Sequence, residues 1–141
     1  MNVPLQQGRL REITIANIVG VPGVLITVES TVRWLITGFR ATLTTSATVA
    51  SRQLALRIDD GAIVYFSSLL GPIRSASLVS EMLFMQAYLT GTAADTPFFF
   101  VPYWEMPLIV PGHRILARGL NFQVDDTLTN IRLFVQEWIE A

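Results

Sequence analysis

The chain has 141 residues, a formal net charge of −1, 51% hydrophobic and 15% charged residues, and no cysteine. That length suits one domain with a real core and is short for two, while the lack of cysteine excludes disulfides, thiolate metal sites and a cysteine nucleophile. The single histidine, His113, excludes a His-rich metal cage, and ten arginines scattered along a chain without lysine make no clustered basic footprint for nucleic acid.

A mean hydropathy of +0.47 is oily for a freely soluble monomer and points to buried surface beyond a single core. A membrane span would supply it too. The longest uncharged run, Ile13 to Val28, is however 16 residues long and broken by Gly20, Pro22 and Gly23, short of the ~20 apolar residues that a spanning helix needs. No membrane partner is expected. The start, MNVPLQQGRLRE, lacks a charged region followed by an apolar one, so no secretory signal is expected and synthesis in a cytoplasm is. Residues 1–74 hold seven Arg against four acids and residues 75–141 three against seven; a neighbour of complementary charge could use that asymmetry, but chance is the plainer explanation.

In chain order, residues 1–22 lack a clear period and end at Pro22, which reads as an extended N-terminal arm. Residues 23–141 read as one domain of short β-branched runs separated by turn residues, the pattern of an all-β sandwich or barrel. The first run is GVLITVES (23–30). In the second, RWLITGFRATLTT (33–45), strict alternation puts Leu35, Thr37, Phe39, Ala41 and Leu43 on one face and Trp34, Ile36, Gly38, Arg40 and Thr42 on the other. RQLALRID (52–59) alternates with Leu54, Leu56 and Ile58 inward and Arg57 outward; Asp59, Asp60 and Gly61 then supply a hairpin turn before AIVYFSS (62–68). Residues 76–90 also fit helical spacing at Leu78, Met82, Met85 and Leu89, but context favours a long strand.

The block TPFFFVPYWEMPLIVPGHR (96–114) carries prolines at 97, 102, 107 and 111, which remove backbone donors and fix φ, so an extended loop is expected. Phe98, Phe99, Phe100, Tyr103 and Trp104 together offer roughly 750–1,250 Å². Burying it all is worth on the order of 20 kcal/mol as an upper bound, so the block needs cover from the core or from a partner. Runs at 113–121 and 129–140 complete about eight strands. Eight strands with long crossing loops fit a single jelly-roll β-sandwich of antiparallel strands better than an immunoglobulin-like one. In the last run Ile131, Leu133, Val135 and Ile139 share one face. Phe134 and Trp138 point the other way, where a half-buried strand should be polar. Either a loop covers them or a second subunit does.

Three stretches carry a resemblance. Residues 42–61, with Thr42, Thr44, Ala47, Val49, Arg52 and the turn at Asp59, Asp60 and Gly61; the loop around Pro107, Pro111, Gly112 and Arg114; and the C-terminal run with Asn130, Ile131, Arg132, Val135, Glu137 and Trp138 resemble small single jelly-roll virion proteins of tailed bacteriophages, a group that includes head decoration (cement) proteins. The resemblance implies a non-enzymatic structural role as a homotrimer on the outer face of the head shell. Its partners would be its own copies and the major capsid protein, with an N-terminal arm tying down neighbouring shell subunits. Phe98, Phe99, Phe100, Tyr103, Trp104, Phe134 and Trp138 are the expected subunit or shell contacts, and Leu5, Leu10, Ile13 and Ile15 the expected arm anchors. The alternative is a receptor- or glycan-binding jelly-roll module on a tail or fibre, which would present an exposed aromatic platform flanked by Asp, Asn or Arg.

Catalytic signals are weak. Asp59 with Asp60 and Asp125 with Asp126 lack calcium-loop spacing and read first as a turn and a polar loop, although a carboxylate pair across a cleft would suit glycoside hydrolysis. His113 has no G-x-S-x-G elbow to serve, and no phosphate loop or dinucleotide fingerprint occurs. No cofactor and no metal are expected.

Overall fold

The computed structural model describes residues 8–85, 98–102 and 107–139, without the side chains of 68–72, 83–85 and 98–102; these residues form strands and no helix. Ten strands follow in order among them: β1 (Arg9–Ile15), β2 (Ile18–Val19), β3 (Val24–Thr27), β4 (Val32–Thr44), β5 (Arg52–Asp59), β6 (Val64–Arg74), β7 (Val79–Met85), β8 (Phe98–Pro102), β9 (Arg114–Leu120) and β10 (Thr127–Ile139). They make two sheets, the first ordered β1, β10, β4, β7, β8 with β2 also on β10, the second ordered β3, β9, β5, β6. Every pairing is antiparallel except that of β8, which runs parallel to β7.

The pairings nest. β1 meets β10, β3 meets β9, β4 meets β7 and β5 meets β6, so the chain runs out along one half and back along the other as a single long hairpin. Its tip is the turn after Asp59, where Gly61 takes a φ of +96° that only glycine adopts without strain. The hairpin curls on itself, and the curl is closed by β10 against β4 in one layer and β9 against β5 in the other.

The inner faces of the two sheets form the core. Trp34, Ile36, Phe39, Leu43, Leu128, Ile131, Leu133 and Val135 from the first meet Leu54, Leu56, Ile58 and Ile115 from the second. Ile109, fully buried, is stitched to Trp34 by reciprocal backbone hydrogen bonds of 2.7 and 2.9 Å.

Three expectations change. Strict alternation along β4 fails because the register against β10 slips between Phe134 and Val135. An extra residue at Thr37 makes Trp34 and Ile36 face inward with Phe39, Ala41 and Leu43, and sends Leu35 and Thr37 to the outer face. The proline block is not loop throughout, since residues 98–102 pair with β7. β8 has no proline before its last residue, Pro102, and lies at a sheet edge, where a missing donor costs least. Finally, the segment read as an arm supplies β1 and β2, and both pair with the body's own β10; residues 1–7 lie outside the described residues.

One buried ion pair fixes the loops at one end. Arg52 and Asp126 have no exposed side-chain surface and meet at 2.9 Å. Arg52 also donates to the carbonyls of Ala50 and Thr48 and to the Ser46 hydroxyl, while Asp126 accepts from the backbone N–H groups of Ser46 and Gln123. Burial pushes the Asp126 carboxyl up, but the bonds from Arg52, Gln123 and Ser46 outweigh it and leave the pKa below its ordinary value. Removing one partner strands the other, so Asp126→Ala should cost about 3–5 kcal/mol in urea unfolding, whereas Ala at the exposed neighbour Asp125 should change stability by less than about 0.5 kcal/mol.

Candidate interaction surface

The outer face of the first sheet is apolar at its centre. Along β10 the outward row is Arg132, Phe134, Gln136 and Trp138, and the two apolar members are half-buried. Phe134 stands between Glu12 of β1 and Gly38 of β4. Because glycine offers no side chain beside it and the bulge turns Thr37 outward, a hollow of about 300 Å³ opens there, lined by Leu10, Arg11, Glu12, Thr37, Phe134 and Val135. Leu10 stands at its rim with 79% of its surface exposed. Trp138 lies over Gly8, where an added Cβ would come within 2.7 Å of the indole. Around this centre the charges are paired: Arg132 with Glu12 at 3.1 Å and Arg40 with Glu81 at 3.7 Å. An apolar middle with a polar rim is the anatomy of a protein interface.

The second sheet presents a different outer face. Arg114 grips the buried Asp59 with two hydrogen bonds, at 2.8 and 3.2 Å, and Arg57 Nε lies 3.3 Å from the same carboxylate. That last contact is an ion pair without hydrogen-bond geometry, since Arg57 Nε is buried with no acceptor. Arg114 provides the main lowering of the Asp59 pKa.

A second apolar patch sits at the Asp126 end. Val49, 93% exposed, and Val124, 78% exposed, ride on the two loops that the Arg52–Asp126 pair locks together, and the exposed Val19 and Val21 flank Gly20, whose N–H bonds to the Asp126 carbonyl. Val21, Val49 and Val124 lie outside the strands, where alternation rules do not reach, and Val19 ends the two-residue β2, so no local pattern marks the patch.

The structure separates the residues singled out from sequence. Phe134 and Trp138 share the outer face with Leu10. Ile13 is buried and Ile15 packs against the core, so these two face the opposite side of β1 from Leu10. Phe98, Phe99 and Phe100 are placed by backbone alone, opposite Glu81, Met82 and Leu83. Tyr103, Trp104 and Leu5 lie outside the described residues. Among the described residues no group of three or more His, Cys, Asp or Glu could hold a metal ion. Asp60 caps its own turn, and His113 stacks on Tyr65. No protein-family model, no curated protein and no solved structure matches the chain.

Beneath the apolar face, a clasp ties β1 to the sheet. Glu137, on the inner side of β10 with no exposed side chain, accepts from Arg9 at 2.8 Å, Arg11 at 2.7 Å and the Trp34 indole N–H at 2.8 Å. Arg11 also lies 5.8 Å from the Trp34 ring centroid, within cation–π range. Burial pushes the Glu137 carboxyl up, but the bonds from Trp34, Arg11 and Arg9 prevail and bring it to about 2. A value below the ordinary 4.5 means that the clasp stabilises fully above about pH 4.5 and is lost as pH falls toward 2. Glu137→Gln should therefore lower stability at pH 7 by about 1–3 kcal/mol and flatten the decline between pH 4.5 and 3. Unfolding curves at the three pH values check this, and equal acid slopes in both proteins would assign the decline to other carboxyls.

Proposed function

We propose that this chain is a non-enzymatic virion structural protein, a jelly-roll decoration protein that binds the outer shell of a phage head as a homotrimer and stabilises it. The observation that carries the proposal is the apolar outer face around Phe134, Trp138 and Leu10. β10 already buries its inner face in the core, so large apolar groups on its other side, half-buried as they stand, call for more cover than the described residues supply.

The strand order supports the jelly-roll reading. Setting aside β2 and β8, the eight remaining strands run first, eighth, third, sixth in one sheet and second, seventh, fourth, fifth in the other, the double Greek key of a rolled hairpin. The resemblance of residues 42–61 and 106–140 to phage decoration proteins adds the role. Three copies joined head to tail bury each apolar face once and leave no open end. Valines 19, 21, 49 and 124 form a charge-poor end suited to a protein shell, here the major capsid protein. Stabilisation then follows from mass action: a subunit that binds only the assembled shell contributes RT ln(1 + [L]/Kd) per site, repeated over every site.

Two measurements test this. Phe134→Asp should convert the trimer to monomers by native mass spectrometry, while Arg118→Asp, on an exposed position of the other sheet, should leave the trimer intact; an unchanged mass in Phe134→Asp would move the subunit contact elsewhere. Quantitative mass spectrometry of purified particles should find hundreds of copies per head. About a dozen would place the chain in a neck, tail or fibre, and none would end the virion reading.

A further inference from the structure

The end of the sandwich opposite Asp126 carries a cluster that neither the subunit face nor the shell face uses. Register places it: Asp59 at the end of β5 pairs with Arg114 at the start of β9, and Gln53 with Leu120 at the far end. The turn of residues 60–63 and the loop before β9 thus meet at one corner. There Tyr65 and His113 stack with ring centroids 4.7 Å apart and planes 14° from parallel. Tyr65 is 48% exposed, so with His113 on one face of the ring the other faces solvent.

The surrounding polar groups are held before any ligand arrives. Asp60 Oδ1 accepts the N–H groups of Ala62 and Ile63 at 2.8 and 2.7 Å, and Oδ2 accepts the Tyr65 hydroxyl at 2.8 Å. These bonds, led by the one from Ile63, hold the carboxyl at about 2, so it is an acceptor at any working pH. Oδ2 keeps acceptor capacity beyond that one bond. Arg114 uses Nε and Nη2 on Asp59, which leaves the Nη1 hydrogens without an acceptor among the described residues, and its guanidinium carbon lies 3.9 Å from where a Gly61 Cβ would stand. The His113 ring nitrogens likewise make no hydrogen bond among the described residues.

We propose that Tyr65, His113, Asp60 and Arg114 form a carbohydrate subsite that takes a neutral pyranose on the open face of Tyr65. The polarised C–H face of a pyranose complements the negative face of an aromatic ring. A fixed carboxylate at the ring's hydroxyl and a guanidinium at the adjoining Gly61 turn match the paired acceptor and donor of neighbouring sugar hydroxyls. The carboxylate at the ring edge disfavours a stacked nucleotide, whose phosphates it would repel. A ring pinned by both its hydroxyl and its stacking partner loses little freedom on binding.

The subsite is independent of the shell reading, because neither copy number nor trimer mass depends on it. The test titrates the full chain with methyl α-D-glucopyranoside, methyl α-D-galactopyranoside and methyl α-D-mannopyranoside to about 50 mM, following backbone amide NMR shifts. At least one should give saturable shifts confined to residues 60–65 and 113–114, with a dissociation constant on the order of 1–10 mM. Tyr65→Ala should weaken that binding about tenfold or more and Tyr65→Phe, which keeps the ring, only about two- to threefold; His113→Ala serves if Tyr65→Ala does not fold. No saturable shift with any of the three sugars overturns the proposal. Binding that survives removal of the Tyr65 ring, or shifts centred elsewhere, overturns it as well.

Discussion

Side chains on a strand alternate with a period of two, so one extra residue reverses every face beyond it. The pairing of β4 with β10 contains two such interruptions, at Thr37 on β4 and around Asn130 on β10, where Asn130 takes a φ of +51°. Between them they decide which residues reach the core. Leu128 is followed inward by Ile131, not by Asn130, and Trp34 and Ile36 by Phe39, not by Gly38. Without the interruption at Thr37 the Trp34 indole would point away from Glu137, and the hollow beside Phe134 would not open. The core, the clasp and the outer face all descend from the same register.

How much of this the sequence disclosed depends on whether a position obeys local rules. β5 alternates without interruption, so Leu54, Leu56 and Ile58 were readable as core, and the Asp-Gly turn after it was readable from the φ that glycine permits. β4 was readable as a strand but not in its facing, because a bulge is settled by the partner strand and leaves no unique mark in composition. The outward pair Phe134 and Trp138 was legible because large apolar groups on both sides of one strand break the usual pattern. Leu10 was picked out too, but as an arm anchor, since nothing local announces that its strand will find β10 more than a hundred residues later. The valines of the Asp126 end and the stack of Tyr65 on His113 are assembled by tertiary contacts between separate loops, and no window of sequence contains either.

Charge is distributed with the same economy. The bases are all arginine, and three of the carboxylates, on Asp59, Asp126 and Glu137, are buried against guanidinium groups. A planar guanidinium keeps its charge at any accessible pH and meets a carboxylate with two parallel bonds where lysine offers a single mobile point. Such pairs contribute little net stability when weighed against well-packed apolar groups, but they tolerate few alternative arrangements. Here they sit where geometry most needs fixing: the loops at one end, the hairpin tip at the other, and the edge strand between.

The nested pairing also sets an order of events in time. β1 has no sheet to join until β10 exists, and β10 follows it by more than a hundred residues. A chain emerging from the ribosome can close the hairpin of β5 and β6 and pair β4 with β7 early, yet must carry β1 and the other edge of β4 unpaired until β10 has been made. Long loops must then close before their contacts reward them, which slows folding. During that interval the exposed strands are open to pairing with other nascent copies. Interrupted register along β4 and β10 is then a safeguard, since a bulged strand is a poor template for any partner but its own.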